Sequence, residues 1–156
     1  MVIWAMARSP SWRGVEAMST AIPAKPMPEA TPESRPYWDG LARQTLMLQR
    51  CADCGLVRHY PRPMCDACQS METSWVEASR DATVHSWTVA HHPFHAAFRE
   101  ELPYVLVTAD LPEGVRMLAQ LRGATAAALR PGLPLRVEFE HQGEGLILPV
   151  FRLRDR

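Results

Sequence analysis

From Leu46 onward the chain falls into short apolar runs separated by turn residues. "LMLQR" at 46–50 and "SWVEA" at 74–78 predict strands on either side of a cysteine-rich stretch. "ATVHSWTVAHH" at 82–92 alternates in part, with Val84, Ser86, Thr88 and Ala90 on one face and His85, Trp87 and Val89 on the other. "PYVLVTADL" at 103–111 is rich in β-branched residues, and "PEG" at 112–114 is turn chemistry. "VRMLAQLRG" at 115–123 resumes as a strand, and "RGATAAAL" at 122–129 predicts a short helical turn. After a second turn, "RPGLP" at 130–134, the alternation is clean in "LRVEFE" at 135–140. A third turn, "GEG" at 143–145, precedes "LILPVFRLR" at 146–154. Five strands at turn-punctuated intervals, with no amphipathic helix among them, predict an antiparallel barrel or sandwich, and an OB-type barrel fits best.

Upstream the pattern differs. Pro10, Pro23, Pro26, Pro28, Pro32 and Pro36 interrupt any helix or strand, so residues 1–33 are expected to be a disordered N-terminal segment. Met18 is a second candidate start beside Met1. Order is expected to begin at "SRPYWDGLARQTL", where Ser34 can cap a helix and Pro36 sits in its first turn. Tyr37, Trp38 and Leu41 then share one helical face, while Gly40 weakens the helix. The expected organisation is therefore a disordered segment at 1–33, a helix and cysteine module at 34–79, and a barrel at 80–156.

The four cysteines lie in two C-x-x-C pairs, Cys51 with Cys54 and Cys65 with Cys68, ten residues apart. Each pair can set two sulfurs on one side of a tetrahedral ion, and the two turns together complete the tetrahedron. Gly55 directly after Cys54 lets the first turn close tightly, whereas Gln69 stands in the matching place after Cys68. Four thiolates on a divalent ion leave a formal charge of about −2, which Arg50, Arg58, Arg62 and His59 are placed in sequence to offset. Zinc is the expected metal, and an iron site with the same ligands is its rival. A redox dithiol is disfavoured because no βαβ pattern surrounds either pair. A zinc closed by four cysteines has no open position, so its role would be structural.

Composition narrows the functions. The 156 residues carry 17 basic and 17 acidic side chains. From residue 80 onward nine arginines face nine acids with no lysine, which does not suit binding to a phosphate backbone by clustered cations. Nucleic acid is thus the alternative partner class, not the favoured one. No stretch is apolar enough to span a bilayer, and "MVIWAMARSPSWRG" lacks the core of a secretory signal. A cytoplasmic location, without membrane partners, is the expectation. "HHPFH" offers His91, His92 and His95, with Glu100 and Glu101 following, from which a base or second metal site is conceivable. No serine elbow, phosphate loop or HExxH supports an independent enzyme, so no catalytic residue is assigned.

"YWDGL", "LQRCADCGLVRHYPRPMCDACQS", "TVHSWTVAHHP", "PYVLVTADLPEGVRM", "LRPGLPLRVEFE" and "LPVFR" together resemble the DUF35 family over roughly residues 34–154. The resemblance implies a short helix, a rubredoxin-like zinc ribbon and a C-terminal OB fold. It implies an accessory subunit of a thiolase-superfamily complex acting on acyl-CoA by thiolysis, retro-aldol cleavage or acyl transfer. The partner would be a thiolase-like protein, with a hot-dog-fold hydratase as a further candidate. The chain would supply docking surface and shape the CoA-side entrance, while the partner holds the nucleophile. Arg99 and Arg116 are the candidate contacts to a CoA phosphate, although the family pattern fixes neither. A glycine usual in the family after the Ser79 position is replaced here by Arg80 and Asp81, so the ribbon–barrel join is expected to differ.

Overall fold

The computed structural model describes residues 24–143 and 145–154. The question of the start codon and residues 1–23 of the segment expected without order lie outside them. Residues 24–31 carry no helix or strand. Even so, Lys25 binds the Glu101 carboxylate, donates to Gln142 Oε1 at 3.0 Å and lies 5.2 Å from the Phe98 ring centroid.

Helix α1 (Arg35–Ala42) turns Tyr37, Gly40 and Leu41 inward. Ser34 stands at its N-terminus but does not cap it. The hydroxyl pairs backwards with Thr31, accepting from the Thr31 amide at 3.0 Å. Gly40 is a packing position: a Cβ there would lie 2.6 Å from Met47 Cγ and 2.8 Å from the Thr45 carbonyl. Its carbonyl accepts from the Thr45 amide as the chain reverses through Gln44, whose φ is +56°. The helix therefore depends on glycine for close approach, despite glycine's low propensity.

Strands β1 (Met47–Cys51), β2 (Val57–Arg58) and β3 (Thr73–Glu77) form an antiparallel sheet in the order β2-β1-β3. The chain then enters a closed barrel of β4 (Asp81–Ala90), β5 (Tyr104–Asp110), β6 (Arg116–Leu121), β7 (Pro134–His141) and β8 (Ile147–Leu153). Neighbours around the barrel run β4-β5-β6-β8-β7, with β7 pairing back to β4 and β6 parallel to β8. That topology is the OB fold. Regular alternation buries Val105, Val107 and Ala109 on β5, Met117, Ala119 and Leu121 on β6, and Leu135 and Val137 on β7. A 3-10 turn at Ala126–Ala128 occupies the predicted helical stretch between β6 and β7.

In β4 the pattern departs from simple alternation. Ala82 and Val84 are buried, but Trp87 and Val89, not Ser86 and Thr88, pack on the core farther along. The pairing with β5 shifts between Val84 and Ser86, so His85 is the extra residue of a β-bulge. The bulge reverses the inward face, which corrects the assignment of Val84, Ser86, Thr88 and Ala90 to one side. Tyr37 and Leu41 of the helix, Leu46 and Leu48 of the ribbon, and Val107, Leu135 and Phe151 of the barrel belong to one continuous apolar cluster.

Candidate metal centre and ribbon–barrel junction

The sulfurs of Cys51, Cys54, Cys65 and Cys68 all lie within 4.8 Å of one another. Cys51 and Cys68 Sγ are 3.5 Å apart, and Cys54 and Cys65 Sγ are 3.6 Å apart. A disulfide needs about 2.05 Å. Tetrahedral zinc with bonds of about 2.3 Å sets its sulfurs about 3.8 Å apart, so the four thiols fit such an ion. Cys51 and Cys65 are buried, while Cys54 and Cys68 face outward.

The two C-x-x-C turns are near copies. The Gly55 amide donates to the Cys51 carbonyl at 3.1 Å and the Gln69 amide to the Cys65 carbonyl at 2.9 Å. The Cys51 amide donates to the Leu56 carbonyl at 2.9 Å, and the Cys65 amide to the Ser70 carbonyl at 2.8 Å. Gly55 has φ +76° and Gln69 φ +61°, so both positions need the left-handed conformation and Gln69 adopts it without glycine's freedom. The Cys54 amide, followed by that of Asp53, draws the Cys51 thiol down to about 6. The amides of Cys68 and Ala67 lower Cys65 in the same way. Amides aimed at sulfur are what a thiolate ligand requires.

The basic residues between the pairs do not act as one set. The Arg50 guanidinium lies over the first turn, 3.3 Å from where a Gly55 Cβ would be. Arg58 is buried, and its Nε donates to the Oε1 of buried Gln49 at 2.6 Å. The same Oε1 accepts from the Arg62 amide at 2.9 Å, and Arg58 Nη2 donates to the Arg62 carbonyl at 3.2 Å. Gln49 and Arg58 thus tie the "YPRP" loop to the sheet, a role the sequence reading missed. The facing register of Gln49 and Arg58 across β1 and β2 was the missing information. His59 packs 5.5 Å from Tyr37 and 4.0 Å from Tyr60, ring centre to ring centre, and burial holds its imidazole down to about 4. His59 is therefore no neutraliser of the thiolates. The Tyr37 hydroxyl is pushed up, by burial first and then by the Tyr60 phenol.

At the join, the Ser79 amide donates to Glu113 Oε1 at 2.5 Å, so the glutamate of "EGVR" clips the linker. Arg80 donates to the Gln44 carbonyl at 2.9 Å and lies 5.1 Å from the Phe139 ring centroid. Asp81 pairs with Arg154 at 3.0 Å.

Arg116 and Arg99 are exposed and not brought together: one begins β6 beside the turn that follows β5, the other precedes the start of β5. The length of β5, roughly 20 Å, separates the two ends. Arg116 pairs with Asp110 at 2.7 Å, and that bond, with His85 at 3.1 Å, holds the Asp110 carboxyl below the usual range. In the "HHPFH" loop His91 and His92 are exposed, and Phe94 is 87% exposed with the His92 ring edge-on at 5.3 Å. His95 Nδ1 instead accepts from the Ala97 amide at 3.3 Å, at the start of a 3-10 helix. Among the described residues the cysteines form the one cluster with metal-holding geometry. Among them too, no helix is long and apolar enough to cross a membrane.

A four-cysteine ribbon packed on a closed OB barrel defines a zinc-ribbon/OB-fold protein. Two family models agree: the ChsH2 rubredoxin-like zinc ribbon domain matches residues 38–72 and the ChsH2 C-terminal OB-fold domain residues 75–140. A chain of the solved Ltp2-ChsH2(DUF35) aldolase superposes with a TM-score of 0.75 at 35% identity, covering 81% of this chain and 98% of that one. The chain belongs to the ChsH2 group of the DUF35 family. It is 36% identical over 128 residues to a probable enoyl-CoA hydratase alpha subunit of Thermomonospora curvata, covering 82% of this chain. It is 36% identical over 112 residues to the 3-oxo-4,17-pregnadiene-20-carboxyl-CoA hydratase alpha subunit of Mycobacterium tuberculosis, covering 72% of this chain. This chain spans 40% and 35% of the length of those two relatives.

Proposed function

We propose that the chain is the zinc-ribbon/OB-fold subunit of an acyl-CoA-processing complex, with a thiolase-like protein as its catalytic partner. The observation that carries this reading is the match over 98% of the DUF35 chain of the Ltp2-ChsH2 aldolase. Two hydratase alpha subunits with CoA substrates in their names point to the same substrate class, and a hot-dog-fold hydratase is the further candidate partner.

The chemistry of the chain supports an accessory role. Its four thiols converge on one metal-holding cluster, so none serves as nucleophile toward a thioester. A metal held by all four would structure the ribbon and leave no open position to activate water. The surfaces available for docking are the exposed ribbon residues Leu56, Tyr60, Met64 and Met71, together with Phe94 on the barrel rim. Tyr37 is turned inward and does not contribute. A stable complex should bury more than about 1,000 Å².

The test is co-expression with a thiolase-like protein from the same genome, then sizing by light scattering and assay of acyl-CoA cleavage. A stoichiometric complex that turns over, while this chain alone does not, is the expected result. Turnover by the chain alone, abolished by His91→Ala or His92→Ala, would place the chemistry here instead.

A further inference from the structure

A cavity of about 250 Å³ lies between the ribbon loop and the start of β6, lined by Arg58, His59, Tyr60, Arg62, Asp66 and Arg116 among others. Three arginines line it against one lining carboxylate, Asp66, and of the three Arg116 also pairs with Asp110 at 2.7 Å. Arg58 is only 7% exposed, and its two other nitrogens donate to neutral oxygens. Its Nη1 is buried with no partner, and so are both ring nitrogens of His59. A buried guanidinium without a carboxylate, with an unused donor beside a cavity, is a costly arrangement unless something else occupies that space. Among the described residues, Arg58 donates to no sulfur of the cysteine cluster, and Arg50 is the guanidinium lying over the first cysteine turn.

We propose that this notch binds a phosphate-type oxyanion, held by Arg58 from the ribbon sheet, Arg62 from the ribbon loop and Arg116 from the barrel. Arginines that line one cavity from separate elements suit the several acceptor oxygens of a phosphate. The volume is below that of pockets which enclose a whole organic ligand, so the notch takes a group and leaves the rest of its carrier outside. Two carriers share this chemistry, free phosphate and a phosphate ester of a nucleotide. The second draws on the acyl-CoA reading above, since CoA carries such esters. Of the two arginines singled out for a CoA phosphate, the notch takes Arg116 and leaves Arg99 out. Occupancy would join ribbon and barrel through one ion.

The zinc-loaded full chain, free of excess zinc, is titrated by calorimetry with inorganic phosphate, adenosine 3′,5′-bisphosphate and adenosine. Arginine Nε resonances are followed in parallel. Saturable binding of phosphate, with a shifted Arg58 Nε signal and no response to adenosine, is expected. Arg62→Gln and Arg116→Gln, both at exposed positions, should each weaken binding by about tenfold or more. Asp66→Asn should tighten it. Gln49→Glu keeps the acceptor that Arg58 and Arg62 use, supplies the missing carboxylate, and should abolish binding in a folded chain. Tighter binding of the bisphosphate than of phosphate identifies an ester as the ligand, and equal binding identifies the free ion. Absence of saturation by either anion, or binding undiminished in both arginine variants, overturns the site whatever partner the chain proves to have.

Discussion

Gln49→Leu tests how far the metal loop depends on a single side-chain oxygen. Gln49 is 2% exposed, and its Oε1 accepts from Arg58 Nε at 2.6 Å and from the Arg62 amide at 2.9 Å. Leucine is close in size but accepts nothing. It would leave a neutral amide and one edge of a buried guanidinium without partners. An unsatisfied buried donor costs about 1–3 kcal/mol, with charged groups at or above the upper end. The added apolar side chain returns about 1–2 kcal/mol. A net loss of about 3 kcal/mol is expected. Metal affinity and ribbon folding are one equilibrium, so this corresponds to roughly a hundredfold weaker apparent zinc binding. Urea unfolding at fixed free zinc, with chromogenic zinc release as a second readout, measures both. Gln49→Glu preserves the acceptor and should stay within about 1 kcal/mol of the parent. A leucine variant equally close to the parent would show that the Gln49 contacts do not hold the loop.

Cys65→Ser should abolish binding of one zinc per chain and unfold the ribbon locally; elemental analysis that finds iron, or no metal in the folded parent chain, would refute the zinc assignment. Gly40→Ala should destabilise the chain by about 1–2 kcal/mol, because crowding against the Thr45 carbonyl outweighs a helix-propensity gain of about 1 kcal/mol. A raised melting temperature would contradict that reading. The pH dependence has a defined sign. His59 titrates near 4 in the fold and at about 6.5 when unfolded, so the unfolded chain binds the extra proton between those values. Stability from this group is complete above about pH 6.5 and declines as pH falls toward 4, with about 2 kcal/mol lost by pH 5. In phosphate-free buffer His59→Gln should therefore lose less stability than the parent between pH 7 and pH 5; parallel curves would exclude the burial argument.

The cysteine cluster was legible because each pair of thiols sits in one local turn. The barrel was legible where one face is buried along a whole strand, as in β5 and β6. What escaped depended on contacts distant in sequence. Arg58 looked like a counter-charge to the thiolates, but the register of β1 and β2 sets it against Gln49. Ser34 has the chemistry of a cap, yet Thr31 three residues earlier claims its hydroxyl. Gly40 looked like a weakness in a helix because the Met47 side chain that fills its place comes from the next element. Arg80 gave no hint in the sequence that Phe139, far along the chain, would receive it.

The extra residue at His85 has a consequence for how this barrel tolerates change. Residues 81–83 of β4 pair with β7, whereas pairing with β5 continues to Ala90, so one strand serves two neighbours and bends between them. Replacing His85 alters an exposed side chain and its pairing with Asp110, a surface effect. Deleting it removes the one residue without a β5 partner, so Ser86 follows Val84 on the outer face while Trp87 and Val89 stay inward opposite the same β5 residues. At that position neither identity nor length sets which residues face inward; the extra residue supplies the bend. A deletion elsewhere in β4 has no such slack and turns the inward face over, a distinction that a survey of point mutants would never reveal.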